Sequence, residues 1–326
     1  MTKAIEKKRI LVTGGFGFIG SHLVEKLCSL GGEVWVLDNL STALPSTVAL
    51  LRNQVKGFVQ REQTEVFSSN HLLDLGHFDY VFHLASVATV YDAVARPAED
   101  FNSNYRATFL LLEQLRKLTV RPKLIYASSA AVYGENREAP SKETDVTDPI
   151  SPYGVSKLAS DRMVSVYAKL YDISAVTMRF FPTYGPRQRK QVVYDLIHRM
   201  HENPDLLQVR APASYKRDFI YVADLIEGLL LATTIPGNGE AYNIASGGLV
   251  TLGTLAETIA RVSHLRPTIQ FAPEAAKSDA YTMSGNIEKL SKYGFRPCVS
   301  FESGIQQTVE WYRSEISSTG QFRKTG

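Results

Sequence analysis

From its start to Arg179 the chain alternates short apolar blocks with amphipathic stretches. Arg9–Thr13 reads as a buried strand, Ile19–Leu30 as a helix and Glu33–Leu37 as the next strand. Further strands are predicted at Tyr80–Leu84, Lys123–Ser128 and Ala175–Arg179, with helices at Ala98–Leu118 and Pro152–Tyr171 between them. Regular alternation of this kind specifies a parallel sheet wrapped by helices, because each parallel strand must be reached by a crossover. Past Arg179 the texture changes: Pro182, Gly185, Pro186, Pro204 and Pro212 interrupt it and the segments shorten. Val222–Thr233 still reads as a helix and Ala241–Ala245 as a strand. Thr251–Ser263 sets Leu252, Leu255, Ile259 and Val262 on one helical face, and Phe301–Ser314 turns Ile305, Val309 and Tyr312 inward. With no repeat and no low-complexity linker, a second unit should grow from the first by insertion. The predicted boundaries are residues 1–180, with 219–246 returning to the first sheet, and 181–326 for a smaller α/β C-terminal unit.

At 326 residues the chain exceeds one ordinary domain, and 44% hydrophobic against 21% charged residues suits a soluble enzyme with a real core. The formal charge of +3, without a basic stripe or a like-charge run beyond Lys7-Lys8-Arg9, argues against nucleic acid as a partner. Cys28 and Cys298 form neither a disulfide framework nor a metal-ligand spacing, and the seven histidines show no cluster, so no metal is expected and a reducing compartment is. The basic N-terminus imitates a signal peptide, but Thr13-Gly14-Gly15 breaks the apolar run behind it. No stretch approaches the roughly 18 apolar residues of a membrane span. The expected location is the cytoplasm.

Chemistry enters with Gly14-x-x-Gly17-x-x-Gly20, set between the first strand and the first helix. Glycine there allows a sharp turn, close approach of backbone to a pyrophosphate, and tight packing of helix on sheet. The helix N-terminus adds unpaired N–H groups and a partial positive charge. Asp38 ends the second strand, where a carboxylate can accept from an adenosine ribose. That carboxylate would repel the 2′-phosphate of NADP, and Asn39-Leu40-Ser41 contains no arginine to compensate, so NAD is the expected cofactor.

Tyr153-Gly-Val-Ser-Lys157 is the second signal. Residues i and i+4 of a helix share a face, so phenol and ammonium project into one space. A neighbouring lysine and a positive nicotinamide ring would stabilise the phenolate, and lowering a tyrosine by about three pKa units needs roughly 4 kcal/mol. The spacing is common by chance, but Tyr126-Ala-Ser128-Ser129-Ala-Ala-Val-Tyr133-Gly134 follows a strand end, where α/β sheets meet their ligands. A serine hydroxyl there can hold the oxygen whose proton the tyrosine takes.

On these motifs the chain resembles the extended short-chain dehydrogenase/reductase family, specifically the NAD-dependent nucleotide-sugar epimerases and dehydratases. The resemblance runs from about residue 9 to 313 through Val12–His22, His83–Ala85, Ser128–Gly134, Tyr153–Lys157, Arg179–Gln188, Arg217–Val222 and Tyr242–Gly247. It implies a Rossmann-type doubly wound parallel sheet binding NAD, with a smaller substrate domain. Ser129, Tyr153 and Lys157 match the family's catalytic trio. The implied cofactor contacts are Gly14, Gly17, Phe18, Ile19, Gly20, Asp38, Asn39, Leu84, Ala85, Asn104, Tyr153 and Lys157. Those implied for a nucleotide-diphosphate sugar are Ser86, Ser129, Tyr153, Arg187 and Arg217, the last as a guanidinium fork on the diphosphate; a salt bridge to a neighbour such as Asp218 is the plain alternative. The helices at Ala98–Leu118 and Pro152–Tyr171 would pair two subunits as a homodimer, although their apolar faces could equally be core.

The implied shared step is oxidation at the sugar C4. A 4-epimerase then turns the 4-keto sugar over, whereas a 4,6-dehydratase needs a further acid and base, which in many such enzymes is Asp-Glu directly after the catalytic Ser or Thr. Here Ala130 and Ala131 occupy those places and can neither give nor take a proton. The reading is an epimerase, an isomerase; a dehydratase, decarboxylase or reductase of the same family is the alternative, and a non-catalytic NAD-binding module a second one. Three departures fall in ligand-binding segments. Glu65–Leu75 lacks an Asp-x-x-Asp spacing for adenine, Pro182 stands where the family usually has asparagine and cannot donate, and no arginine precedes Lys277-Ser-Asp279. His83 is expected to end a buried strand, and Tyr133 to pack near the site without titrating.

Overall fold

The computed structural model describes residues 2–69, 75–86, 90–135, 139–274 and 282–319. Seven strands form one parallel sheet: β1 (Arg9–Thr13), β2 (Glu33–Asp38), β3 (Gly57–Gln60), β4 (Tyr80–His83), β5 (Lys123–Ser129), β6 (Ala175–Phe180) and β7 (Asn238–Ile244). Their spatial order is 7-6-5-4-1-2-3, so the winding reverses between β4 and β1. The carboxyl ends of those two strands diverge into a crevice, the place where doubly wound sheets bind ligands. β1 lies between β2 and β4, with Thr13 opposite both Leu37 and His83, and its Ile10, Leu11 and Val12 are fully buried. Continuous apolar strands are what a sheet covered on both faces requires.

The helices that position the site are α1 (Phe18–Ser29), the run α2, α3 (Pro152–Tyr171) and α5 (Val222–Ala232). The helix expected over Ala98–Leu118 is α2, which begins at Pro97–Phe101, passes through a π-helical turn at Asn102–Arg106 and continues as Ala107–Leu115. Hydrophobic spacing does not register the extra residue of a π turn, because the apolar face resumes one residue later. Strand β3 and the short helices Pro45–Leu51 and Gln63–Ser68 carry no clear period and were not anticipated; β3 is an edge strand with its residues only half-buried or exposed.

Beyond β6 the chain is more regular than its prolines suggest. Helix α4 (Gln191–Glu202) buries Val193, Leu196, Ile197 and Met200, and α6 (Leu252–Val262) buries Leu252, Leu255 and Ile259. Helix α7 (Phe301–Thr319) runs longer than expected and buries Ile305, Val309 and Tyr312. Short strands accompany them: Thr183–Tyr184 beside Ile220–Tyr221, Leu206–Val209 beside Thr268–Phe271, and Lys216–Arg217 between Val250–Thr251 and Thr282–Met283. Val12, Val24, Leu196, Ile220, Leu255 and Val309 belong to one contiguous apolar core, so α4, α6 and α7 pack on the same body as the sheet. Among the described residues no helix is long and apolar enough to cross a membrane.

Candidate active site

The crevice begins where β1 ends. Gly14 has φ +67°, the left-handed region, and a Cβ there would lie 2.9 Å from Ala85 Cα. Gly17 caps α1, and a Cβ on Gly20 would stand 2.0 Å from the Gly14 carbonyl oxygen. Only glycine lets α1 sit this tightly on the turn, so its N-terminus, with Phe18 and Ile19 in the first turn, faces the crevice. Asp38, buried at the end of β2, accepts from Phe16 N at 2.9 Å and Leu40 N at 2.7 Å. Burial raises its pKa above the usual carboxylate range against the pull of these amides. Asn39 donates to Glu62 Oε1 at 2.6 Å. A cradle that any Cβ would fill, a helix N-terminus and a carboxylate one strand over fit NAD.

The floor of the crevice is a hydrogen-bond chain. The amides of Leu84 and Ala85 both donate to Thr13 Oγ1, at 3.2 and 3.1 Å. Thr13 therefore gives its own proton to His83 Nδ1 (2.9 Å), which leaves Nε2 as the donor to Thr108 Oγ1 at 3.1 Å. Burial pulls the His83 pKa down to about 3, with the Lys157 charge acting the same way. The ring is a neutral strut, as its place at a buried strand end suggested.

Beside it the three residues expected to form a catalytic trio come together. β5 ends at Ser129, whose Oγ accepts from Ala131 N at 3.1 Å and caps the 3-10 turn Ala130–Tyr133. Helix α3 opens with Pro152 and is capped by Ser151, which accepts from Gly154 N at 3.1 Å. A Cβ on Gly154 would come within 2.6 Å of the Ala131 carbonyl oxygen, so this glycine lets α3 press against the 3-10 turn. The Tyr153 hydroxyl thereby comes within hydrogen-bonding reach of Ser129 and Ser86. One turn on, Lys157 is buried, donates to Ala127 O at 2.9 Å, and holds its Nζ 5.9 Å from the Tyr153 ring centre.

The electrostatics are less simple than the spacing suggests. Burial pushes the Tyr153 phenol up to about 12, although its bonds to Ser129 and Ser86 pull the other way. Burial also draws Lys157 down to about 8, opposed by the charge of Asp100. The chain's own groups thus raise the phenol, and the expected stabilisation of the phenolate rests on the lysine together with the nicotinamide ring. Asn104, in the π turn, accepts from Ser86 Oγ at 2.7 Å and donates to Asp100 Oδ1 at 2.6 Å. Ser156 Oγ donates to Asp100 Oδ2 at 2.6 Å. Asp100 and Ser156 escaped the sequence reading, Asp100 because it belongs to no recognisable motif and Ser156 because it is an interior position between Tyr153 and Lys157.

The remaining expectations lie further out. Tyr133 is buried, donates to Asn243 Oδ1 at 2.7 Å and accepts from Arg179 Nη1 at 2.9 Å; burial holds it at about 12. Arg179 in turn pairs with Asp161 at 2.8 Å, both side chains less than 5% exposed. Arg217 lies on the small sheet, its guanidinium donating to Lys216 O at 2.9 Å and 5.7 Å from the Tyr215 ring centre. Asp218 is engaged elsewhere, accepting from Ser246, Gly247 and Gly285. Arg187, at φ +70°, pairs with Glu25 of α1 at 2.7 Å and so stands against the dinucleotide half. Pro182 O accepts from Ile220 N at 2.9 Å. Lys277-Ser-Asp279 and most of Asn70–Leu75 lie outside the described residues.

A parallel sheet that delivers α1 to one side of its switch point and a tyrosine–lysine turn to the other is the organisation of the extended short-chain dehydrogenases/reductases. The protein is of that class. It belongs to the NAD dependent epimerase/dehydratase family, whose model matches residues 10–245. It is similar to the UDP-glucose 4-epimerase of Streptomyces lividans, 32% identical over 94% of this chain and 96% of that protein. The crystal structure of UDP-glucose 4-epimerase with UDP-glucose from Thermotoga maritima superposes with a TM-score of 0.87 at 32% identity, covering 94% of this chain and 99% of that one. UDP-glucuronic acid 4-epimerase from Bacillus cereus, in complex with UDP-glucuronic acid and NAD, gives 0.86 at 28% identity over 94% and 99%.

Proposed function

We propose that this protein interconverts two UDP-hexoses that differ at C4, through a transient 4-keto sugar. The observation that carries the reading is the convergence of Ser129, Tyr153 and Lys157 on the crevice, with Ala130 and Ala131 following the serine. NAD, when bound, supplies the hydride acceptor and a positive ring beside the phenol. Ser129 Oγ holds O4 of the sugar while Tyr153 takes the hydroxyl proton, keeps it through the turnover of the keto sugar and returns it on the other face. Lys157, the cation beside the ring, favours the charged form of the phenol before it takes the proton and again once the proton is returned. Arg217 tethers the diphosphate so that the sugar can turn without leaving. A dehydratase would need a second acid and base, and neither alanine offers one.

In this reading residues 1–180, with 219–246 returning to the sheet, hold NAD, and 181–326 hold most of the sugar nucleotide. Gly14, Gly17, Phe18, Ile19 and Gly20 take the pyrophosphate and Asp38 the ribose, while Leu84, Ala85 and Asn104 line the nicotinamide side. Ser86 assists Ser129, and Arg187 acts from beside α1. The protein is read as a cytoplasmic homodimer, supported by its two free cysteines and by the exposed apolar side chains Phe101, Val155, Val166 and Leu170 on α2 and α3.

The test is incubation of purified protein with UDP-, GDP-, CDP- and dTDP-sugars, products read by NMR, with the denatured protein assayed for released NAD. Inversion at C4 without change of mass, confined to UDP-sugars, is the expected result. Loss of water would select the dehydratase, and the absence of both turnover and released NAD would overturn the proposal.

A further inference from the structure

We propose that Asp100 is a positioning residue of the redox centre, a buried anion that fixes Asn104 and Ser156 and balances the charge of Lys157. The inference rests on Tyr153 and Lys157 being the redox pair. Asp100 is 0% exposed, and its two oxygens are each taken by a 2.6 Å hydrogen bond, one from Asn104 Nδ2 and one from Ser156 Oγ. Burying a carboxylate is costly, and here two donors converge on its two oxygens, where an uncharged amide would offer one of them a donor instead. The charge so held also bears on its neighbours.

Its surroundings show how. Around the pair stand Ser156 and Asp161 from α3, His83 from β4, Tyr126 from β5, and Arg179 from β6, which pairs with Asp161. Tyr126 is buried and uncharged, its phenol pushed well up by desolvation. His83 is neutral, and Asp161 is neutralised by Arg179 at 2.8 Å. Among the described residues Asp100 is the charge whose field acts on both members, favouring the ammonium of Lys157 and opposing the phenolate of Tyr153. It acts through contacts as well. Asp100 precedes the π turn that holds Asn104, and Asn104 receives Ser86 Oγ, which reaches the phenol. On the other side Ser156 adjoins Lys157 and lies three residues after Tyr153 on α3. One carboxylate thus braces α2 against α3 at the level of the reacting hydroxyl.

Two mechanisms of damage can be told apart by sign. Removing the Asp100 charge lowers the pKa of both Tyr153 and Lys157. Merely loosening the packing admits water, which lowers the phenol but raises the ammonium. Asp100→Asn keeps the size, removes the charge and still accepts from Asn104, while its amide nitrogen faces Ser156 Oγ, whose hydroxyl must turn to accept. The holoenzyme carrying D100N would be compared with the unaltered holoenzyme in kcat and KM against pH with the UDP-sugar it turns over. Phenolate absorbance would be titrated in parallel, with Tyr153→Phe as the blank. We expect both limbs of the kcat profile to move down by about half a pH unit or more, with KM changed less than about twofold. Asp100→Ala, which also frees Asn104, should lose about tenfold or more in kcat. An unmoved profile in D100N, or limbs moving in opposite directions, overturns the proposal. If D100A does not fold, D100N carries the test. If the unaltered protein turns over no UDP-sugar, the epimerase reading fails while the phenolate titration still decides the role of Asp100.

Discussion

Lys157→Met should make the protein more stable while abolishing its turnover. The Lys157 side chain is buried, and desolvation brings its ammonium from 10.5 down to about 8. That displacement corresponds to about 3 kcal/mol held against the charged form in the folded protein. Methionine keeps the unbranched stem and removes the charge, but also withdraws the bond to Ala127 O at 2.9 Å, a loss of about 1 kcal/mol. The net gain is about 2 kcal/mol, seen as a higher urea midpoint with an unchanged slope. The sign reverses the usual linkage for a lysine that gains a partner. Below about 8 both folded and unfolded chains carry the proton, so the full penalty is present and the variant's advantage is largest. Between about 8 and 10.5 the unfolded chain binds the extra proton, the unaltered protein gains stability with rising pH, and the gap closes. Urea unfolding of both proteins at neutral and at alkaline pH measures this. A variant less stable at neutral pH, or a gap indifferent to pH, would refute the reasoning.

Gly20→Ala should yield folded protein that has lost NAD, because the new Cβ, 2.0 Å from the Gly14 carbonyl oxygen, must lift α1 off the phosphate turn. Full retention of NAD, assayed in denatured protein, would show that the turn yields without harm. Asp161→Asn leaves the Arg179 guanidinium buried and unbalanced, an expected loss of about 3–5 kcal/mol. Thermal or urea unfolding checks it, and a loss below about 1 kcal/mol would mean that Tyr133 and the Glu143 carbonyl suffice to hold the guanidinium.

What the chain states most clearly is what it encodes within a few residues. The strand–glycine–helix turn at Gly14–Gly20 and the one-turn spacing of Tyr153 and Lys157 are local; the first meets a backbone constraint that few sequences satisfy, and the second, common by itself, gains meaning from the serine motif upstream. The apolar faces of α6 and α7 were legible for the same reason, since a helix repeats its core contacts every three or four residues. Edge strand β3 was not, because a half-exposed strand has no apolar face to repeat, and the π turn in α2 hid behind an apolar face that resumes only one residue later.

The site divides along the same line. Sequence determined that a phenol, an ammonium and a serine hydroxyl would share one crevice with a dinucleotide. Tertiary structure decided their charge states. Desolvation raises Tyr153 and lowers Lys157, and it arises from strands and helices distant in the chain closing over them. Asp100 meets Ser156 across 56 residues, and Arg187 meets Glu25 across 162. Spacing along a chain can place donors and acceptors on a face, but dielectric and pairing depend on what packs against that face, and only the folded protein sets them.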